Sequence, residues 1–345
     1  MAAPDRVVFM VRLKDIAARA GVSVMTVSKV MRDAKDISKE TKARIRAMAR
    51  EMGYVPDRMA QSLRSRTTKL LGIVISAATN PIFARVLMAI EEQAFEMGYD
   101  VIFSHTLKQV EREEEIIRRM ISRRVDGLFI YPVYRMNPQA AVYAELERSG
   151  IPTVILGHGA SFCSMFRNVE TDDLAASQLL TEHLIQLGHR RIAFMTGPQF
   201  VPWSQERLDG YRAALREAQI EFDDRLIYQA GGTITEGEKA AAQMLDEKCD
   251  ATAVQAVNDL VAIGAANTFL GQGLRIPGDL SIAGFGNILT AEHFRVPLTT
   301  VRQPKYRLGT VAMDVMRQLI AGGSPNSQRL PADIVVRQST AKPAR

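Results

Sequence analysis

The chain has 345 residues, 47% hydrophobic and 24% charged, enough for two or three cores, and no apolar run in it is long enough to span a membrane. Its two cysteines, Cys163 and Cys249, stand in no metal-type spacing, which argues against a zinc site and a disulfide framework and fits a reducing cytoplasm. The net charge of +6 is unevenly placed: residues 1–69 hold 16 Lys/Arg against 7 Asp/Glu (+9) and the rest is −3, so a polyanion is the expected partner of the basic part, with a solvated basic face as the alternative.

Residues 1–10 contain Asp5, Arg6 and an apolar run too short for the core of a secretion signal, and read as a disordered leader. Residues 11–56 read as a small all-α head. In the first helix Leu13, Ile16, Ala17 and Ala20 recur at i, i+3, i+4 and i+7, and Gly21 ends it. Ser23 is the expected N-cap of a second helix, with Val22 and Val27 closing as a hydrophobic staple. Val27 and Val30 then face the core, while Val24, Met25, Ser28 and Lys29 share the opposite side, at the end that enters the major groove in helix-turn-helix proteins. An α-hairpin in an enzyme has the same bare pattern; the basic charge favours DNA. Ser38 is expected to cap a third helix, in which Ile45, Met48, Ala49 and Met52 repeat before Gly53.

Residues 57–69 read as a hinge helix and linker. Asp57 caps a stretch of about two turns, too short to be helical alone in water. Its Ala60 is small enough for a symmetry-related copy to approach, and Leu63 suits a wedge between base steps in the minor groove or, alternatively, packing against the following domain.

Residues 70–340 change to βαβ alternation. LLGIVIS, YDVIFSH, DGLFIYP and PTVILG are separated by helical stretches at Ile82–Met97 and Val110–Arg124. A second series, RRIAFMTG, LIYQAGG, ATAVQAVN and LSIAGFGN, is spaced by helices near Gln205–Ala218, Thr235–Glu247 and Asp259–Gln272. Two doubly wound parallel sheets follow, with a cleft beyond the carboxyl ends of their strands, near Ser76, Pro132, Gly157, Gly197, Gly231, Asn258 and Asn287. The EREEE run at Glu111–Glu115 reads as the solvated face of a helix whose Ile116, Ile117 and Met120 turn inward. After the first strand there is no GxGxxG and no phosphate-binding lysine, against a nicotinamide or nucleotide enzyme. A free-standing periplasmic binding protein would lack the basic head, and an architectural DNA binder would not need some 270 residues of cleft-forming domain.

Together these motifs resemble the lactose-repressor (LacI) family of bacterial transcription regulators, from about Val11 to Ser339. LKDIAARAGVSVMTVSKVMRD is similar to the family's head, GYVPDRMAQSLRSRTTKLLGIVI to its hinge and first strand, and VDGLFI, GHRRIAF, ERLDGY, VNDLVAIGA and VPLTTVRQP to landmarks of its effector domain. The resemblance implies an α/β, periplasmic-binding-protein-like domain of two subdomains behind a helix-turn-helix head. It also implies a non-enzymatic homodimer on palindromic double-stranded operator DNA, repressing carbohydrate-related genes, with a small-molecule effector and neither cofactor, metal nor membrane. Leu13, Ser23, Val24, Met25, Thr26, Ser28, Lys29 and Arg58 become DNA-contacting, with Leu63 the minor-groove wedge.

Effector contacts fall by resemblance to Phe83, Arg207, Asn258, Asp259 and Gln303, with Arg207 foremost because its fork holds hydroxyl or carboxylate pairs. Capping of the next helix is the alternative for Asn258 and Asp259. Gly157 and Gly286 stand where many sugar-binding relatives place an aspartate, and Gly232 where an aromatic often stacks. Trp203, in the loop after RRIAFMTG, is expected either to supply the missing stacking face or to anchor that loop in the core. His158 either replaces a lost acceptor or bonds to backbone. Loss of two acidic groups opposite Arg207 leaves an isolated cation, which points to a sugar acid; the alternative is a neutral sugar, with water, His158 or backbone amides taking over the missing contacts. The resemblance further implies three crossovers between subdomains, with Leu298–Gly322 rejoining the first. No heptad-patterned tail follows DIVVRQS, so a dimer and nothing larger is expected.

Overall fold

The computed structural model describes residues 11–55, 67–137 and 139–344. The chain divides into two compact units at Thr68–Lys69.

The first unit is built from α1 (Leu13–Ala20), α2 (Val24–Met31) and α3 (Lys39–Glu51). Gly21, at φ +68°, takes the left-handed conformation that ends α1 and lets its N–H return to Ala17 O. Ser23 Oγ accepts from Thr26 N at 3.1 Å and Ser38 Oγ from Thr41 N at 3.2 Å, so both expected caps are formed. Ile16, Val27, Val30 and Ile45 are completely buried and make the core, each worth roughly 1.5–3 kcal/mol of transfer from water.

The second unit holds two six-stranded sheets. In the first, β1 (Leu70–Ile75), β2 (Asp100–His105), β3 (Gly127–Ile130), β4 (Thr153–Leu156), β5 (Arg167–Thr171) and β11 (Gln328–Leu330) run parallel in the order β11-β5-β4-β3-β1-β2. In the second, the order is β12-β10-β9-β8-β6-β7, from β6 (Ile192–Thr196), β7 (Ile227–Gln229), β8 (Ala253–Ala256), β9 (Ser281–Phe285), β10 (Thr299–Arg302) and β12 (Asp333–Val335). Only β12 is antiparallel, pairing with β10. The central strands are buried along their length, as parallel strands covered on both faces must be.

Helices α4 (Pro81–Glu96), α5 (Val110–Ser122), α6 (Ala141–Ser149) and α12 (Lys305–Ile320) serve the first sheet. Those of the second are α7 (Asp173–Gln186), α8 (Pro202–Glu217), α9 (Ile234–Asp246), α10 (Asp259–Gly271) and the short α11 (Leu289–Glu292). The chain passes between the sheets three times: after β5, after β10 and between β11 and β12. The expected return of Leu298–Gly322 is corrected at its start. Leu298 packs in a core of the second subdomain and β10 belongs to the second sheet, so the return begins with α12, where the aliphatic side chains Ala312, Met313 and Met316 have the first core to fill.

The EREEE stretch is also corrected. Glu113 lies on the inner face of α5, fully buried, where its Oε1 accepts from Val133 N at 2.6 Å and Tyr143 Oη at 3.0 Å and its Oε2 pairs with Arg135. Burial pushes its carboxyl up to about 7, against those hydrogen bonds and the Arg135 charge.

Candidate functional site

The exposed face of α2 carries large apolar side chains with no core to fill. Val24 is 47% and Met25 57% exposed, while Val27 and Val30 on the opposite face are fully buried. Lys29 and Ser28 lie beside them, half-buried; the Lys29 ammonium pairs with Asp36 and Ser28 O accepts from Arg32 Nε. Ser23 and Thr26 are joined through their hydroxyls at 2.9 Å as the cap. Leu13 is turned toward the head core and packs there, so its side chain anchors α1 instead of facing outward. Arg58 and Leu63, with the whole proposed hinge helix, lie outside the described residues.

In the second unit a cavity of about 140 Å³ opens where the carboxyl ends of both sheets' strands face each other. It brings together all seven expected effector residues: Phe83, His158, Trp203, Arg207, Asn258, Asp259 and Gln303. Several of them stand differently from expectation.

Arg207, from the middle of α8, is not an isolated cation. Its Nη2 and Nε donate to Asp173 Oδ1 at 3.0 and 3.3 Å, and its Nη1 donates to Val257 O at 2.6 Å. The guanidinium lies 3.6 Å from the Phe285 ring centroid and 4.9 Å from that of Trp203. Burial pushes the Asp173 carboxyl up and Arg207 opposes it. With Glu170, Asp173 and Asp259 lining the cavity beside Arg207 and His158, positive charge is not in excess, and the lining does not call for an acidic ligand.

Trp203 lies in the first turn of α8, not in a loop, because Pro202 starts the helix early; its Nε1 is buried without a hydrogen-bond partner. Asn258 is the cap of α10, its Oδ1 accepting from Val261 N at 2.8 Å while its Nδ2 donates to Gly232 O at 3.1 Å. Asp259 does not cap: it is buried in the cavity wall, with Oδ2 accepting from Ile288 N at 2.9 Å and Oδ1 from Thr300 Oγ1 at 2.5 Å, so it ties the start of α10 to the segment after β9 and to β10. Gln303 Nε2 donates to Thr171 Oγ1 at 3.1 Å, joining two crossovers. Phe83 is buried, edge-on to Tyr131 with centroids 4.9 Å apart.

Among the described residues, the partners of the His158 ring are carboxylates, not backbone. Its Nε2 lies 3.1 Å from Glu206 Oε2, 3.6 Å from Asp173 Oδ2 and 4.0 Å from Glu170 Oε2. Burial opposes the imidazolium, but the Glu206 hydrogen bond and the nearby carboxylates outweigh it and hold the His158 pKa above its ordinary value. Gly157 before it has φ +103°, and a Cβ there would meet the Tyr131 ring at 3.2 Å, so the position does not accept an aspartate without movement.

Asp173, Glu206, Glu170, Tyr131 and Phe285 went unread in the sequence. Paired Asp172 and Asp173 before a helix, and the adjacent Glu206 and Arg207, are the only local signals, and each also describes ordinary caps and surface charge. Among the described residues, no group of His, Cys, Asp and Glu could hold a metal ion and no helix is long and apolar enough to cross a membrane.

Comparison with known proteins agrees with this architecture. Residues 12–57 match the family of bacterial regulatory proteins, lacI family, and residues 181–340 a periplasmic binding protein-like domain. The chain is similar to the HTH-type transcriptional repressor PurR of Photobacterium profundum, 30% identical over 96% of this chain and 98% of that one. It is 31% identical to the ribose operon repressor of Escherichia coli K12, over 93% of this chain and 96% of the repressor. The Lac repressor dimer, solved with operator and the anti-inducer ONPF, superposes with a TM-score of 0.86 at 28% identity, over 96% of this chain and 99% of that one. The chain therefore belongs to the lacI family of bacterial regulatory proteins and is a ligand-responsive DNA-binding repressor.

Proposed function

We propose that this repressor acts in the cytoplasm as a homodimer, each head laying α2 in the major groove of one half of a palindromic operator, with Val24, Met25 and Lys29 meeting bases. The observation that carries this is the two-faced α2: Val24 and Met25 are held outward by Val27 and Val30 packed fully inward. Arg58 and Leu63 are assigned phosphate contact and the minor-groove wedge on the same reading. The proposed domain division remains head 11–56, hinge 57–69 and effector domain 70–340.

The dimer surface is assigned to the first subdomain's open edge. On α4, Met88 and Phe95 stand seven residues apart at 45% and 77% exposure, and on β2, the edge strand, Phe103 is 40% exposed.

The effector is assigned to the cavity as a neutral, polyhydroxylated molecule of sugar size, and the genes as carbohydrate-related. Phe83, Tyr131 and Trp203 offer aromatic surface, Trp203 Nε1 offers a free donor, and Asn80 and Gln303 lie among the polar lining groups. Arg207, already neutralised by Asp173, retains N–H groups for hydroxyls without demanding an anion. Calorimetric titration with matched neutral sugars and sugar acids tests this. Binding confined to acids overturns the neutral reading.

A further inference from the structure

Glu206 is a second-subdomain residue, on α8, whose carboxylate is spent on the first subdomain. Arg329, on β11, donates from Nη1 to Glu206 Oε1 at 3.0 Å and from Nη2 to Glu206 Oε2 at 2.6 Å. This is the parallel two-bond fork that makes arginine–carboxylate pairs directional. Glu206 Oε2 also meets His158 Nε2, which follows β4 of the same first sheet. Glu206 is half-buried; burial alone would raise its pKa, but His158 and Arg329 bring it down to about 2.

Arg329 has other anions of its own, Glu170 Oε1 at 3.1 Å and Asp172 Oδ1 at 3.0 Å. Glu170 is in β5 of the first sheet, while Asp172 lies in the crossover after it and caps α7, its Oδ1 accepting from Ala175 N at 3.2 Å. Asp173, on α7, also approaches His158, at 3.6 Å, but Glu206 is the second-subdomain carboxylate bound to both Arg329 and His158, and opening the cleft would have to pull it away from both.

We propose that Glu206 is a latch, holding the second subdomain against Arg329 and His158 so that the effector acts on an already closed cleft. The proposal concerns regulation of the cavity assigned above and rests on that reading for its purpose, but its test uses no ligand, so the two fail separately. The latch predicts a ligand-free distance distribution set by Glu206. Spin labels are placed on the full chain by M165C and F200C, exposed positions in the first and second subdomains. Cys249 is replaced by serine, and Cys163 stays unlabelled because burial pushes its thiol up to about 11.

Pulsed dipolar spectroscopy of the otherwise unaltered labelled chain, mixed with excess unlabelled chain so that a dimer carries at most one labelled protomer, should give one narrow distance. Glu206→Gln and Arg329→Gln should each add a second, clearly different distance carrying at least a fifth of the population, and the double variant should add nothing beyond the larger single effect. A distribution unchanged in both single variants, or effects that simply add in the double, would overturn the latch. An unfolding midpoint that falls while the distance stays fixed would also overturn it, since it marks a merely structural ion pair.

Discussion

Arg207 and Asp173 join α8 to the start of α7 through one oxygen: Asp173 Oδ1 receives Nη2 at 3.0 Å and Nε at 3.3 Å, with the two side chains 8% and 2% exposed. Removing one member leaves the other charge buried and uncompensated. Asp173→Asn should therefore destabilise the chain by roughly 3–5 kcal/mol, and the double variant Arg207→Met, Asp173→Leu by less than that. Urea denaturation of the three proteins checks the order; a double variant worse than Asp173→Asn would show that the pair itself, not the orphaned charge, carries the stability.

The buried Glu113 makes stability depend on pH in a stated direction. Its carboxyl titrates near 4.5 when unfolded and near 7 in the fold, mainly because of burial. Between those values the folded chain keeps a proton that the unfolded chain has lost. The contribution is full below pH 4.5 and disappears as pH rises through 7. Glu113→Gln should flatten that decline, read as the urea midpoint from pH 5 to 8. A slope equal to that of the parent would mean that Glu113 does not titrate there.

On α2, Met25 and Lys29 should separate base reading from charge. Met25→Ala is expected to change which base pairs are preferred while leaving the salt dependence of binding alone. Lys29→Ala should weaken binding and relax the choice of base if the ammonium leaves Asp36 for a guanine, or reduce the slope against log salt by about 1 if it leaves for a phosphate. Fluorescence anisotropy at four salt concentrations distinguishes them, and an unaltered slope for Lys29→Ala would remove it from the phosphate contacts.

Phe95→Glu should shift the dimer toward monomer by at least tenfold in dissociation constant, because it sets a charge on the most exposed apolar side chain of α4. Sedimentation of the full chain checks this. Dimers of unchanged strength would move the interface elsewhere.

How much of this was legible in the sequence depended on whether a segment's burial followed a single period. The strands β1–β4 and β6–β9 are short, apolar and flanked by turns, and they read correctly. β5, with the sequence RNVET, is polar and partly exposed, and left no such trace. α7 was missed because its buried face includes Ser177 and Thr181. Both are satisfied by Gln255 on β8: Thr181 Oγ1 donates to Gln255 Oε1 at 2.6 Å and Gln255 Nε2 to Ser177 Oγ at 2.8 Å. A polar network hidden in a core breaks the apolar period from which a helix is read.

The site was half legible for the same reason. Residues at strand ends, such as His158 and Asn258, could be placed by topology. The state of charge could not be, because Asp173 lies 34 residues from Arg207 in the chain and Arg329 lies 123 residues from Glu206. Glu113 was misplaced because its partner Arg135, 22 residues away, comes from the loop after β3 and not from the same helix.

Whether the exposed face of α2 reads a specific operator is decided by selecting bound duplexes from random-sequence DNA with the full chain and with a Val24→Ala, Met25→Ala variant. The parent should enrich one palindromic sequence, and the variant a different one or none. Enrichment of the same palindrome by both proteins, or no enrichment by the parent, would contradict it.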